Sequence, residues 1–423
     1  MLESWTLPLI IAMFSLGYLA IICESFLRVN KATTALALAS CLWLILNVSA
    51  DFGQTATQQN LKEHFLGICE FIFFLWGAMI IVEIINDHKG LEVISHFLNV
   101  RSKRLQLWLF GFFSFFLSAI LDNLTTTIVM ITIIRKLCPD PEERKILGGA
   151  VVIAANAGGA WTPIGDVTTT MLWIGGQVTT VPLMKELLMP SALCVIASFF
   201  VLNFYLKGKT LASKQVKKLQ IDSKGVCMGC LGFLALVSVP VFKVLTGFPP
   251  FVGMLLAMSL LGIISDLVDR TYKEEHPPFH RILHRVDTST ILFFLGILLS
   301  VDALETSGIL HVLAQWTNET FSSVTSIAFS VGVFSSIIDN VPLVKACMGM
   351  YSLEQYPQNH SFWQLIAYSA GVGGNLLVIG SAAGIAFMGM ERVGFFWYIK
   401  HISFAALVGY LAGFGYYLLQ QAL

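Results

Sequence analysis

Apolar runs near twenty residues long recur along the whole chain, at 7–27, 32–50, 65–86, 146–176, 189–206, 226–245, 251–269, 288–305, 362–390 and 398–420. Helical runs of that length match about 30 Å of hydrocarbon. Two further stretches are interrupted. Segments 105–121 and 124–137 flank Asp122-Asn123, and segments 324–338 and 341–350 flank Asp339-Asn340, with Pro342 after the second break. Each pair is expected to form a re-entrant hairpin that enters and leaves on one side. Two full spans, or one kinked helix, are the alternatives. The pattern predicts an all-α polytopic membrane protein.

Composition agrees with this. Of 423 residues, 56% are hydrophobic and 12% charged, against roughly 25% charged in soluble chains. Lys+Arg and Asp+Glu balance at 26 each, which gives no support for nucleic acid or another polyanion as partner. The eight cysteines sit mostly in apolar runs. Cys227 and Cys230 open one run with no His nearby and are expected to be buried thiols. No cleavable leader is expected, because Met1 to Pro8 carries no basic stretch.

Charge fixes the expected direction. If each hairpin counts as no net crossing, every Lys and Arg except Lys62, Lys185, Lys243 and Lys345 falls on one side. Positive loops stay in the cytoplasm, so both termini are expected outside. The basic stretch 207–225 is an inside linker.

The halves repeat each other. Gly77 and Glu83 match Gly296 and Asp302, Asp122-Asn123 matches Asp339-Asn340, and Gly158-Gly159 with Ile164-Gly165 matches Gly373-Gly374 with Ile379-Gly380, at offsets 219, 217 and 215. Three domains follow: a first repeat at 1–206, the linker at 207–225 and a second repeat at 226–423. Each repeat has five spans plus a hairpin (105–137; 324–350), and one span is a broken helix (146–176; 362–390). Five is odd, so the repeats are inverted. Inverted repeats with interrupted helices are a transporter architecture, with the binding site near mid-membrane. Segments 91–104 and 309–320 are roughly amphipathic and are expected to lie at the interface.

Polar groups cluster where the helices break. The first half offers Ser118, Asp122, Asn123, Thr125, Thr126 and Thr127, then Asn156, Gly158, Gly159, Pro163 and Asp166. Non-helical backbone at membrane depth persists only where protein or water covers it. Carboxylate, amide, hydroxyl and carbonyl oxygens suit a hard cation such as Na⁺ or Li⁺. The second half is poorer: Pro342, Leu343 and Val344 replace the threonines, and Ser381 replaces Asp166. The main cation site is therefore expected at Asp122, Asn123, Asn156 and Asp166. An Asp after an apolar run also caps the next helix, and one Asp can do both. Glu24 and Glu70, inside apolar runs, and Glu83, at a helix end, are candidates for a proton relay. Lys345 is expected to snorkel outward. Asp122 and Asp339 head opposite hairpins instead of one cleft, and Pro163 rules out Gly-x-Gly-Asp. Both points argue against an intramembrane aspartyl protease, and no enzyme is expected.

Four stretches carry a family likeness: SAILDNLTTTIVM (118–130), ANAGGAWTPIGDVTTTMLWIGGQ (155–177), SSIIDNVPLVKACMGMY (335–351) and GVGGNLLVIGSAAGIAFMGME (371–391). They resemble the NhaD-type sodium/proton antiporters of the superfamily that also holds arsenite permeases. The resemblance implies half-sites at Asp122, Asn123, Thr125, Asn156, Gly158 and Asp166, and at Asp339, Asn340, Gly373 and Asn375. It implies exchange of Na⁺ or Li⁺ for H⁺, by competition at buried carboxylates, with no cofactor beyond these transported ions. An elevator-like motion and a homodimer are implied as well. An anion or arsenite carrier on the same scaffold is the alternative. A bacterial cytoplasmic membrane is the expected location, ahead of a plastid envelope.

Overall fold

The computed structural model describes residues 5–49, 53–98, 100, 102–205, 223–270, 278–321 and 323–422. The linker expected at 207–225 lies outside the described residues except for 223–225, which open a helix. Among the described residues the chain is helical, with no strand.

The helix order repeats. The first half runs Thr6–Ile22, Lys31–Val48 and Gln54–Asp87, then a short helix, Glu92–Leu98. Hairpin one follows (Lys103–Leu121 and Asn123–Leu137), then broken helix one (Pro141–Gly159 and Val167–Ile174) and Thr180–Leu202. The second half runs Ser223–Thr246, Pro250–Arg270 and Thr288–Thr306, then Ile309–Thr320. Hairpin two (Val324–Phe334 and Asn340–Met350), broken helix two (Ser361–Gly373 and Ala382–Glu391) and Phe395–Ala422 complete it. The two expected interfacial segments contain helices Glu92–Leu98 and Ile309–Thr320.

Packing shows a twofold relation between the halves. Lys31–Val48 packs along Thr288–Thr306, and Gln54–Asp87 along Pro250–Arg270. The second helix of each half thus meets the third helix of the other, as a twofold relation requires. Thr180–Leu202 packs along Phe404–Ala422, within its own counterpart. These pairings give two parts. The first three helices of each half form a framework. The hairpins and broken helices pack on one another: Asn123–Leu137 against Ala382–Glu391, and Asn340–Met350 against Val167–Ile174.

Small residues let the second part close up. Pro141–Gly159 is buried from Ile146 to Gly159, with Gly148, Gly149, Ala150, Ala154, Ala155, Ala157 and Gly158 along it. A Cβ on Gly158 would meet the Phe115 carbonyl, and one on Gly373 the Gly332 carbonyl, both well inside van der Waals distance. Where lipid replaces water, such close backbone contact is a main source of helix association. Leu16, Leu44, Leu66, Phe112, Leu234 and Leu260 are exposed and form part of the lipid-facing surface.

Three expectations shift. The run expected at 189–206 starts earlier, as helix Thr180–Leu202 with Pro190 inside. Neighbouring helices cover the freed backbone there, which a membrane permits. The first span ends at Ile22, and Glu24 opens a separate four-residue helix. Glu24 therefore lies beyond the span, not inside it. Cys227 and Cys230 are exposed, because their helix buries the other stripe, through Gly225, Met228, Gly229 and Gly232.

Candidate ion-binding site

At each break a polar residue caps the helix that follows, and at Asp122 the same residue also ends the helix before it. Asp122 separates the arms of hairpin one, with φ +94° and ψ 159°, a region otherwise left almost entirely to glycine. Its carboxylate accepts from Thr125 N at 2.8 Å and Thr125 Oγ1 at 2.7 Å. Asp339 at hairpin two has an unstrained backbone, φ −50°, and accepts from Val341 N at 3.1 Å. Asp166 caps Val167–Ile174, its Oδ1 accepting from Thr168 N and Oγ1, both at 2.9 Å. Ser381 caps Ala382–Glu391 by accepting from Gly384 N at 3.1 Å. All four side chains therefore act as helix caps.

Matching hydroxyls dock each hairpin on its broken helix. Ser118 Oγ donates to the Ala155 carbonyl, and Ser335 Oγ to the Ala370 carbonyl, each at 2.6 Å. Between the two docked units lies one buried amide network. Asn123 Nδ2 donates to Asn156 Oδ1 at 2.9 Å and to Asp166 Oδ2 at 2.8 Å. Asn156 Nδ2 then donates to Asn375 Oδ1 at 2.8 Å and to Ser381 Oγ at 2.9 Å. Asn156 and Asn375 are within 1% of full burial, as are Asp166 and Ser381. One asparagine therefore serves both halves. Gly371 stands where a second one would, and a Cβ there would sit 3.7 Å from Asp166 Oδ2 in ordinary contact.

The four residues expected at the main site divide. Asn123, Asn156 and Asp166 are joined directly. Asp122, half-buried, turns its carboxylate onto Thr125 and lines a cavity of about 240 Å³. Asp339, Asn123 and Thr125 line the same cavity, which reaches Lys31, Asp287, Ser289 and Thr290 on the face carrying the basic loops. The expectation that Asp122 and Asp339 occupy no common cleft is thus overturned: the tips of the two hairpins line one cavity. Gly158 and Gly373 contribute close packing, and Asn340 is buried at the second tip.

The relay candidates are not drawn into this network. Glu24 accepts from Lys31 N at 3.2 Å and lines a neighbouring cavity with Asp339. Glu83 lies 3.7 Å from Arg285. Glu70 lines a cavity on the opposite face with Glu63, His64 and Lys345. Lys345 does not snorkel: it pairs with Asp302 at 2.7 Å. Sequence reading left Ser381 and Thr168 outside the candidate set, though the match of Ser381 to Asp166 was a usable signal. It gave none for His64.

Comparison with known proteins gives the family and the fold. A family model described as "Citrate transporter" matches residues 18–373. Sodium/proton antiporter 1 of Arabidopsis thaliana is 49% identical over 96% of this chain and 71% of its own length. Sodium/proton antiporter 2 of the same plant is 43% identical over 96% and 98%. The Na⁺/H⁺ antiporter NhaD of Alkalimonas amylolytica is 29% identical over 96% and 89%. Among solved structures, the YdaH transporter of Alcanivorax borkumensis superposes with TM-score 0.56 at 12% identity, covering 94% of this chain and 98% of that one; this likeness concerns the fold alone.

Proposed function

The chain belongs to the citrate-transporter family and is similar over 96% of its length to two plant sodium/proton antiporters, and we propose how its own residues carry out the exchange. It is a multi-pass secondary transporter that exchanges Na⁺ or Li⁺ for H⁺, and not an enzyme. The relatives' names favour this over an arsenite carrier. The transported ions are cargo, and the reading needs no cofactor.

One observation carries the mechanism. Asn123 Nδ2 sits between two buried oxygens, Asn156 Oδ1 and Asp166 Oδ2, at 2.9 and 2.8 Å. A donor bridging two acceptors occupies the place a small cation would take. For Na⁺ to enter, the Asn123 amide turns and presents Oδ1. The ion then meets only oxygens, the donor set a hard cation prefers. Asp166 supplies the compensating charge, and Asp122 at the cavity wall attracts the ion and exchanges its proton for it. Asp339 and Asn375 form the weaker half of the site. Gly371 leaves that half without a counterpart of Asn156.

Direction and setting complete the proposal. The basic face is cytoplasmic, both termini lie outside, and the cavity holding Asp122 and Asp339 opens inward. The hairpins and broken helices move as one body against the framework, and two copies associate through framework helices. A bacterial cytoplasmic membrane fits the charge pattern. A plastid envelope is the second reading, because the relatives at 43 and 49% identity are plant chains.

The test uses everted vesicles with an acid interior and a fluorescent pH probe, challenged with NaCl, LiCl, KCl and arsenite from pH 7 to 9. Proton release on Na⁺ or Li⁺, lost in Asp122→Asn, is expected. No response to any cation would remove the exchange reading and leave an anion or arsenite carrier.

A further inference from the structure

Away from the ion site, on the face opposite the basic loops, a fully buried carboxylate holds two parts of the molecule together. Asp302, near the end of framework helix Thr288–Thr306, is 0% exposed. Lys345 Nζ approaches its Oδ1 at 2.7 Å from hairpin two, and His64 Nδ1 approaches it at 3.4 Å from framework helix Gln54–Asp87. Glu305, one turn further along, belongs to the same cluster. A buried charge requires a partner, and here that partner lies on a different body. A second lysine makes a comparable link in the other direction. Lys243, from framework helix Ser223–Thr246, donates to the Trp173 carbonyl at 2.9 Å and lies 4.3 Å over its ring. Trp173 sits in the last turn of the second arm of broken helix one, where unpaired carbonyls favour a cation.

Among the described residues, the matching positions on the basic face carry no such link. The repeat places Glu83 at the position of Asp302 and Ile128 at that of Lys345. Ile128 is 42% exposed and carries no charge, and Glu83 faces Arg285 of the connecting segment instead. On that face the framework and the hairpin tips are separated by the cavity that reaches Asp122 and Asp339. The other ion pairs differ in kind. Glu391 takes Arg135 at 2.7 Å and Arg144 at 3.1 Å, joining hairpin one and both broken helices within one body.

We propose that Lys345 with Asp302, supported by Lys243 on Trp173, is a clasp that closes the face opposite the basic loops, and that it must open before the ion site can turn to that face. Lys345 is then a positioning residue. It touches no transported ion and sets the balance between the two facing states. The inference rests on the exchange reading above and on hairpin two moving against the framework.

The test measures half-saturation by Na⁺ from each face, in right-side-out and everted vesicles. An apparent affinity scales with the population of the competent state. Lys345→Met is expected to raise the half-saturating Na⁺ at the basic face about fivefold and to lower it similarly at the opposite face. Lys345→Arg should keep both near wild type. The double variant Lys345→Gln with Asp302→Asn leaves no unpaired buried charge, so it should fold and show the same opposed shifts. Equal changes at both faces, or none at either, would overturn the clasp. Wild-type vesicles without Na⁺-driven proton movement would instead overturn the exchange reading, before any variant is compared.

Discussion

Asn156 on the first broken helix donates its side-chain amide to Asn375 on the second, at 2.8 Å. The two residues do not correspond in the repeat. Asn156 aligns with Gly371 and Asn375 with Ala160. The contact across the pseudo-twofold is therefore asymmetric, and one residue links the two broken helices.

Asn156→Ala should disable both halves at once. It removes one of the two acceptors of Asn123 and the donor to Asn375 and Ser381, leaving the buried Asn375 Oδ1 without its donor at about 1–3 kcal/mol. Exchange in everted vesicles should fall to background and the detergent-solubilised protein should melt earlier. A variant with wild-type Na⁺ half-saturation would remove Asn156 from the site.

Asp166→Ser separates capping from charge. Serine still caps Val167–Ile174, as Ser381 does for its own helix. Melting should stay within about 1 kcal/mol of wild type while Na⁺-driven proton release disappears. Retained exchange would mean that the carboxylate serves only as a cap.

Asp122→Gly tests the strained tip. Glycine accepts φ +94° without the roughly 1–3 kcal/mol that the conformation costs other residues. It also removes the cap on Thr125. The two effects oppose, so stability should change little, and transport should be lost. Asp122→Asn keeps an acceptor for Thr125 N and should likewise be inactive, which isolates the charge.

Gly158→Ala and Gly373→Ala should destabilise in parallel. Each adds a Cβ against a facing backbone carbonyl, at Phe115 and at Gly332, for about 3 kcal/mol of overpacking. Gly389→Ala, with nothing within 4 Å of its added Cβ, is the control and should melt as wild type. Unequal losses at the first two would argue against equivalent docking of the hairpins.

The pH dependence follows from competition. As pH rises, protons occupy a smaller share of the exchanging carboxylates. Half-saturating Na⁺ should therefore fall from pH 7 to 9, with little change in the maximal rate. Flux measured against Na⁺ concentration at each pH checks this. A falling maximal rate at constant half-saturation would contradict competition at one set of groups.

Much of this architecture was legible in the sequence because a membrane restricts the choices. Span length, the two Asp-Asn breaks and the matching Gly motifs specify helices, hairpins and an inverted repeat. Asn123, Asn156 and Asp166 stood out because polar residues at broken helices have few other uses in hydrocarbon. Only the tertiary structure decided which of these groups meet. The sequence set Asp122 and Asp339 on opposite hairpins, yet folding brings their tips to one cavity. It offered Lys345 a route outward, yet the framework supplies Asp302 at 2.7 Å. It presented two unequal clusters, one in each repeat, yet Asn156 bonds to residues of both. Periodicity and composition are local, and they report what a segment must cover. Contacts between segments far apart in the chain depend on where helices cross and how closely glycines let them approach, and that is fixed only when the two halves pack.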